Sequence, residues 1–255
     1  MDKTKYNLGV HGKHILVIGG SGAIGTEVVR SNVANGAKAI TITYNRNKAA
    51  AEALQAELVT EGVSVYIAQV DVIDRVAFEA FLEEAVQNTG LEIDAAVLAA
   101  GVSPNTPFDD QTVEEYRQIY EVNTFGPTLA ARSIANRMKA KGIKGSIVFI
   151  TSTNGIDSNA PHSNHYDGSK SALWPTIRNM AKMYGKFGIR TNGIAPGWID
   201  TIMNHDVPDL AQEILRIWLG RQGTAAEVGN FATFLCGNGS SYINGEEFEI
   251  DGGYQ

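Results

Sequence analysis

The sequence contains a single cysteine, Cys236, among 255 residues. An internal disulfide is therefore excluded, which fits a reducing compartment such as the cytoplasm. Cys236 lies in an apolar run, so we expect a buried core thiol without a catalytic role. Apolar runs are too short for a membrane span, and the first residues lack the apolar core of a signal peptide. These features predict a cytoplasmic protein with no membrane partner.

Positive charge is also scarce, with 21 Lys and Arg against 28 Asp and Glu and a net charge of −7. This balance argues against a nucleic acid or an anionic membrane as partner. No repeat, low-complexity tract or linker divides the chain, and 44% apolar residues can fill a sizeable core. We therefore predict one domain over residues 1–255, without a metal site.

Short apolar runs alternate with amphipathic stretches along most of the chain, as is typical of α/β proteins. The predicted strands cover residues 14–18, 39–44, 63–70, 95–100, 146–151, 189–194 and 247–250. The predicted helices cover residues 25–36, 47–62, 75–89, 112–141 (with a possible break near Gly126-Pro127), 166–187 and 225–236. The alternation predicts a doubly wound, Rossmann-type parallel sheet of about seven strands with helices on both faces. The less regular residues 198–223 predict a substrate lid.

A glycine-rich turn joins the first strand to the first helix. Three spacings fit it: GxGxxG from Gly20, GxxGxxG from Gly19, and GxxxGxG from Gly19 with alanine as its middle glycine. Glycines let the backbone approach a pyrophosphate, and a helix N-terminus offers unpaired N–H groups. A tight turn without a ligand is the alternative. Since this is the first strand–helix turn, we predict dinucleotide binding there, by Gly19, Ser21, Gly22, Ala23, Ile24 and Gly25.

The end of the second strand bears on the choice of dinucleotide. A carboxylate there would bind the ribose 2′-hydroxyl of NAD, whereas a basic group would bind the 2′-phosphate of NADP. Tyr44 and Asn45 are followed by Arg46 and Lys48, and no acid appears before Glu52. Arg46 can hold a phosphate through several N–H donors. We therefore favour NADP(H), with NAD(H) as the alternative and a solvated basic loop as the interpretation without function.

Tyr166 and Lys170 stand four residues apart, so in a helix both side chains lie on one face. An ammonium group near a phenol favours the phenolate and lowers its pKa from about 10. Tyr166 could then exchange a proton near neutral pH. Alone, such a pair is usually a solvated helix face, but a glycine-rich cofactor turn in the same chain indicates catalysis.

With these two motifs in place, the chain resembles the short-chain dehydrogenase/reductase family, in its single-domain branch of about this length. The resemblance runs from Gly12 to Gly253 and implies four catalytic residues, Asn123, Ser152, Tyr166 and Lys170. The spacing from serine to tyrosine is one residue longer than usual, so Thr153 is the alternative hydroxyl. The resemblance also implies cofactor contacts from Tyr44, Asn45, Arg46, Asp71, Val72, Ala100, Gly101, Tyr166, Lys170, Pro196, Gly197, Ile199 and Thr201.

Two positions depart from the family pattern. Ile18 stands where threonine is common, and Leu98-Ala99 stands where the family commonly has two asparagines. Both changes remove polar side chains that pin this strand beside the cofactor. We expect them to alter the local cofactor geometry more than the reaction.

The resemblance implies hydride transfer between a nicotinamide and a small-molecule carbonyl or secondary alcohol. Tyr166 would act as general acid/base, Ser152 would donate a hydrogen bond to the substrate oxygen, and Lys170 would lower the Tyr166 pKa and hold the nicotinamide ribose. Asn123 would position a water next to Lys170. The alternatives are that Ser152 caps a loop and Asn123 satisfies buried backbone. Family members also lead us to expect a homotetramer or homodimer.

The candidate substrate wall between Ser152 and Tyr166 is polar, with Asp157, Asn159, Pro161, His162, Asn164 and His165. The predicted lid adds apolar Trp198, Ile202 and Met203. We therefore expect a polar or mixed-polarity ketone rather than a steroid, with the histidines more often solvated than bound to substrate. The alternatives are a catalytically silent NADP-binding sensor or scaffold, a nucleotide-sugar epimerase, and a decarboxylating or dehydratase variant.

Overall fold

The computed structural model describes residues 9–157, 162–205, 207 and 210–254. Its strands are β1 (His14–Ile18), β2 (Ala39–Tyr44), β3 (Ser64–Gln69), β4 (Ala95–Leu98), β5 (Ser146–Ile150), β6 (Arg190–Pro196), β7 (Ile199–Asp200), β8 (Gly223–Thr224) and β9 (Glu247–Ile250). Seven of them form one parallel sheet in the order β3-β2-β1-β4-β5-β6-β9, while β7 and β8 pair separately. The predicted doubly wound, Rossmann-type sheet is confirmed. Its order reverses between β1 and β4, where ligands of such sheets bind.

The described residues form ten α-helices where six were predicted, and the long helix predicted over residues 112–141 is interrupted just before Gly126-Pro127, close to the possible break. The helices are α1 (Ala23–Ala34), α2 (Lys48–Val59), α3 (Arg75–Thr89), α4 (Val113–Tyr120), α5 (Gly126–Lys141), α6 (Asn164–Ser171), α7 (Leu173–Tyr184), α8 (Ile202–His205), α9 (Leu210–Leu215) and α10 (Ala225–Cys236). A π-helical turn at Glu121–Phe125 separates α4 from α5, and Ala172 separates α6 from α7. The helix predicted over residues 166–187 is therefore two helices with a one-residue interruption at Ala172, and Pro175 just after it lacks the N–H of a helical hydrogen bond.

Alternate strand residues point into two separate apolar layers. One layer packs α1, α2 and α10 against Ile15, Val17 and their neighbours. The other packs α3, α5 and α7 against Leu16, Ile18 and their neighbours. Because both faces are covered, the central strands are buried along their whole length, and this explains their continuous apolar runs.

Polar side chains begin several helices. Asn47, Asp74, Thr112 and Thr224 each accept a hydrogen bond from a backbone N–H of the first turn of α2, α3, α4 and α10 respectively. These caps fix where the helices start relative to the strands before them. Within the described residues, no helix has the length and apolar character that a membrane span requires.

Candidate active site

The glycine turn depends on two of its glycines more than on the others. Gly19 has φ +75°, and a Cβ there would lie 2.7 Å from the backbone nitrogen of Ala100. A Cβ on Gly25 would lie 2.2 Å from the carbonyl oxygen of Gly19. A Cβ on Gly22 would meet only that same oxygen, at 3.3 Å. Gly19 and Gly25 therefore shape the turn, and their spacing is shared by the GxxGxxG and GxxxGxG readings.

The residues of this turn fit the diphosphate of a dinucleotide. Gly22 precedes the first residue of α1 and provides no side-chain cap for its N–H groups. The first turn of α1 also contains no acidic residue. First-turn N–H groups have no intrahelical partner, so a bare and uncharged helix start can receive an anion. Ser21, Ala23 and Ile24 lie at this same start.

Thr43 on β2 holds the glycine turn, a role that the sequence analysis missed. Its hydroxyl accepts a hydrogen bond from the Gly19 nitrogen at 3.0 Å, and its carbonyl oxygen accepts one from the Gly20 nitrogen at 3.0 Å. The departures at Ile18 and Leu98 serve packing instead, since the two residues are paired in register between β1 and β4 and buried in one apolar layer. The strand ends beside the turn are thus fixed by one hydroxyl and by apolar contact.

The candidate adenosine side, at the ends of β2 and β3, is open. Asn45 and Arg46 are exposed, and Arg46 has no ion-pair partner in the described part of the chain. Lys48 is different, because its ammonium lies 3.2 Å from the Glu52 carboxylate on the next turn of α2. Tyr44 beside them is buried in the core. Arg46 therefore remains available to a ligand, while Lys48 is already paired.

Asp71 and Val72 follow β3, and the family resemblance implies that this pair contacts the adenine. The Asp71 carboxylate accepts a hydrogen bond from the Ile73 nitrogen at 2.9 Å, which fixes this turn. Val72 faces Gly126 at the start of α5, where a Cβ would lie 2.4 Å from the Val72 side chain. The candidate adenine wall therefore rests directly on the helix that follows the π-helical turn.

Helix α6 places Tyr166 and Lys170 on the same side, as the spacing predicts. The Lys170 Nζ lies 5.8 Å from the centre of the Tyr166 ring and donates a hydrogen bond to the Ile150 carbonyl oxygen at 2.8 Å. A Cβ on Gly101 would lie 3.4 Å from the same Nζ. Lys170 therefore joins α6 to the end of β5 and to the loop after β4.

The pKa of Tyr166 shifts in the opposite direction to the prediction. Burial raises the pKa of Tyr166, and the nearby Asp167 carboxylate raises it further, while a hydrogen bond with Ser152 opposes both. Burial lowers the pKa of Lys170 to about 8. The expectation that Lys170 depresses the Tyr166 pKa is therefore wrong for the protein alone. The lysine ammonium is aimed at a backbone carbonyl, and burial of the phenol dominates.

The structure separates the two candidate hydroxyls at the end of β5. Ser152 interacts with the Tyr166 phenol in a way that lowers its pKa, and the Ser152 oxygen also accepts the Asn154 nitrogen at 3.2 Å. The Thr153 hydroxyl instead donates to the Pro196 carbonyl oxygen at 3.4 Å. The geometry thus favours Ser152 as the partner of Tyr166. Ser152 also caps the short 3₁₀ turn Thr153–Gly155, so the capping alternative holds as well.

Asn123 lies in the π-helical turn and is fully buried. Its amide accepts the Val102 nitrogen at 2.9 Å and donates to the Val102 carbonyl oxygen at 2.9 Å and to the Ser169 hydroxyl at 3.0 Å. The wide turn brings this side chain to the loop after β4, and such turns occur often at functional sites. Asn123 therefore joins the loop that carries Ala100 and Gly101 to α6, the helix of Tyr166 and Lys170.

The segment after β6 lies beside the same strand ends. Pro196 ends β6, and the Gly197 nitrogen donates to the Ile250 carbonyl oxygen at 3.0 Å. A Cβ on Gly197 would lie 2.7 Å from the Asp251 Cβ, so the chain passes here without room for a side chain. Ile199 is buried in β7, and Thr201 is half-buried just before α8.

The candidate substrate wall is partly different from the expectation of solvated side chains. His165 is fully buried, and its Nδ1 accepts the Tyr166 nitrogen at 2.9 Å. Its Nε2 lies 3.8 Å from the Glu115 carboxylate. Asn164 is exposed and donates to the Tyr116 hydroxyl at 2.6 Å. His165 thus supports the start of α6 from inside the protein.

Other members of this wall and the predicted lid are less enclosed. Asp157 is exposed and His162 half-buried, whereas Asn159 and Pro161 lie outside the described residues. Trp198 is half-buried, while Ile202 and Met203 are exposed. No group of three or more His, Cys, Asp or Glu side chains within the described ranges is placed to hold a metal ion.

Comparisons with known proteins agree with this fold. A family model described as Enoyl-(Acyl carrier protein) reductase matches residues 19–255. The NADP-dependent mannitol dehydrogenase of Hypocrea jecorina is 32% identical over 95% of this chain and 92% of its own length. A 3-alpha-(or 20-beta)-hydroxysteroid dehydrogenase of Mycobacterium tuberculosis is 34% identical over 95% of this chain and 89% of its own length. Among solved structures, a short-chain dehydrogenase/reductase from Serratia marcescens has a TM-score of 0.88 and 31% identity, covering 96% of this chain and 98% of that chain.

Proposed function

Because the chain belongs to the short-chain dehydrogenase/reductase family, we propose that it interconverts a carbonyl and a secondary alcohol on a small polar molecule, with NADP(H) preferred over NAD(H). The observation that carries this proposal is the convergence of a phenol, a hydroxyl and an ammonium group at the end of β5. Tyr166, Ser152 and Lys170 meet there beside the glycine turn. The relatives named above are dehydrogenases, which favours an enzyme over a silent sensor or scaffold.

Each side chain has a role that its position supports. A bound nicotinamide would supply or accept the hydride. Tyr166 would give its proton to the carbonyl oxygen in the reductive direction, and Ser152 would donate a hydrogen bond to that oxygen. The Lys170 ammonium would hold ribose hydroxyls and favour the phenolate once it is turned from the Ile150 carbonyl. Asn123 would keep the loop at Gly101 in place rather than position a water.

The preference for NADP(H) rests on the open end of β2. Arg46 is exposed there and unpaired in the described residues, while no carboxylate occupies the adjoining positions before Glu52. An arginine fork suits a 2′-phosphate, and a carboxylate would be needed to favour the 2′-hydroxyl. The relative from Hypocrea jecorina is itself named NADP-dependent.

The substrate side and the assembly extend the same proposal. A polar wall at Asp157, His162 and Asn164 suits a polyhydroxylated carbonyl compound such as a ketose better than a steroid. Residues 198–223 would close over it as a lid, with the exposed Ile202 and Met203 turned to the bound substrate. We propose that residues 1–255 act as one catalytic domain in a homo-oligomer.

Titration with reduced cofactors followed by turnover tests the proposal. Intrinsic fluorescence would be measured with NADPH and with NADH, and then absorbance of the reduced nicotinamide would be followed with ketoses, simple ketones, aldehydes and a ketosteroid. We expect tighter binding of NADPH and turnover on a polar carbonyl compound. Binding without turnover across the panel would favour the sensor alternative, and no binding of either cofactor would contradict the proposal.

A further inference from the structure

Glu247 is the first residue of the edge strand β9, and its side chain extends over the neighbouring strand β6. Glu247 stands in register with Gly193 on β6. The next residue, Phe248, packs in the α10 layer, so Glu247 points to the opposite face, where α7 lies. A Cβ on Gly193 would lie 3.3 Å from the Glu247 Cγ and 2.8 Å from the Ile177 side chain. The Glu247 side chain therefore lies over the space left by a glycine.

Beyond that glycine are the groups at the end of β5. The Thr151 hydroxyl donates to the Ile194 carbonyl oxygen at 2.9 Å, and the Lys170 Nζ donates to the Ile150 carbonyl oxygen at 2.8 Å. Ile150 and Ile194 are paired in register, so both donors are held at one level of the sheet. The Thr151 side chain also interacts with the Glu247 carboxyl group. The half-buried Glu247 thus lies one strand away, across β6, from the end of β5 where Lys170 is hydrogen bonded.

Other charged groups near this acid are arranged differently. Glu249, two residues on, is exposed on the same strand. Glu246 pairs with Arg178 of α7 at 3.4 Å, and both side chains are more than half exposed. Asp167, on the helix of Lys170, accepts a hydrogen bond from the Asn154 amide at 3.0 Å. Glu247 instead lies over the position of Gly193 on β6, and its negative charge opposes the fall in the Lys170 pKa.

We propose that Glu247 is a positioning residue that stabilises the charged form of the buried Lys170 side chain at the end of β5. This inference rests on the proposed function, because it matters only if Lys170 takes part in the reaction. Burial without a nearby acid would favour the neutral amine, which can neither hold ribose hydroxyls as a cation nor favour a phenolate. Glu247 supplies the missing negative charge from the opposite side of β6.

The sign of the charge coupling follows from the two groups. Burial lowers the pKa of Lys170 to about 8, and the Glu247 carboxylate opposes this fall. Burial raises the pKa of Glu247, and Lys170 opposes that rise. Removing the carboxylate therefore lowers the Lys170 pKa further, so the amine becomes neutral at a lower pH.

The direct test is an NMR titration of the lysine side chains in Glu247→Gln, with Glu249→Gln as the matched control. Protein labelled with ¹³C at the lysine ε carbons would be titrated with and without NADPH, and Lys170→Arg would identify the Lys170 signal. We expect the midpoint of Lys170 to fall by about one pH unit in Glu247→Gln, a roughly tenfold change in its acid dissociation constant. Glu249→Gln should leave it unchanged. Equal midpoints in wild type and Glu247→Gln would overturn the proposal.

A conservative variant and a kinetic arm separate charge from structure. Glu247→Asp keeps the carboxylate and should restore most of the midpoint, whereas a midpoint as low as that of Glu247→Gln would contradict a charge effect. In the reductive direction, the alkaline limb of the kcat profile should move to lower pH in Glu247→Gln with little change in KM. Because the titration needs no turnover, a normal Lys170 midpoint refutes this proposal alone. Absence of turnover with a shifted midpoint refutes the proposed function alone.

Discussion

The candidate catalytic cluster at the end of β5 and the candidate adenosine side at the end of β2 are built in opposite ways. In the cluster, Lys170 and Asn123 are buried, and each is hydrogen bonded to backbone at 2.8 to 2.9 Å. At the adenosine side, Arg46 is exposed and has no ion pair in the described residues. The first region is organised by the protein before any ligand arrives, whereas the second becomes organised by the ligand itself. The side chains of the proposed reaction are thus fixed by contacts within the protein, whereas the proposed cofactor preference depends on a side chain in one exposed loop.

The largest effect is expected where the protein holds the reacting group itself. Tyr166→Phe removes the hydroxyl that would transfer the proton but keeps the ring and its packing. We expect turnover to fall by about 10²- to 10⁴-fold. Binding of NADPH, measured by fluorescence titration, should stay within about twofold of wild type. Turnover close to wild type in this variant would show that another group moves the proton.

The glycine turn lies between the two regions and should reveal which glycines serve the fold. In Gly25→Ala the added methyl meets the Gly19 carbonyl oxygen, 2.2 Å from the Cβ position. We expect a loss of about 1–3 kcal/mol in the free energy of unfolding and loss of cofactor binding. Gly22→Ala is the matched control, because its Cβ meets that oxygen only at 3.3 Å.

Denaturant unfolding and fluorescence titration would be measured on both variants. Gly22→Ala should cost less than about 1 kcal/mol of stability and weaken the cofactor, since its methyl stands at the helix start. Similar stability losses in the two variants would contradict the division of roles between these glycines.

The smallest effect should come from the open adenosine side. Arg46→Ala removes the proposed partner of the 2′-phosphate, so NADPH should bind about tenfold more weakly. NADH binding should change by less than about twofold. Lys48→Ala is the control, since Lys48 is already paired with Glu52 at 3.2 Å and should affect both cofactors little. Equal losses for NADPH and NADH in Arg46→Ala would argue against the preference for NADP(H).

The fold could be predicted because its signals are local. Buried strands such as His14–Ile18 and Ala39–Tyr44 appear as apolar runs, and both have the predicted bounds. Tyr166 and Lys170 share one turn of helix, so their spacing alone predicts that they lie together. Such patterns are contained within short windows of sequence, and the parallel, doubly wound sheet follows from the regular alternation of strands and helices.

What the sequence could not supply depends on contacts between distant residues and on burial. The hydroxyl of Thr43 and the amide of Asn123 act on backbone 24 and 21 residues away. The raised pKa of Tyr166 and the burial of His165 follow from the three-dimensional packing around α6. Glu247 belongs to no sequence motif. Its proposed effect on Lys170 depends on the strand pairing that sets its side chain over Gly193.

The contact between Val72 and Gly126 has an evolutionary consequence. A Cβ at position 126 would lie 2.4 Å from the Val72 side chain, so residue 126 can grow only if residue 72 shrinks. The two positions should therefore change together among descendants of this chain, although 54 residues separate them in sequence. Substitutions in the candidate adenine wall would therefore be restrained by α5, the helix that follows Asn123. Changes in the proposed cofactor contact and changes near the proposed reaction centre would then be coupled.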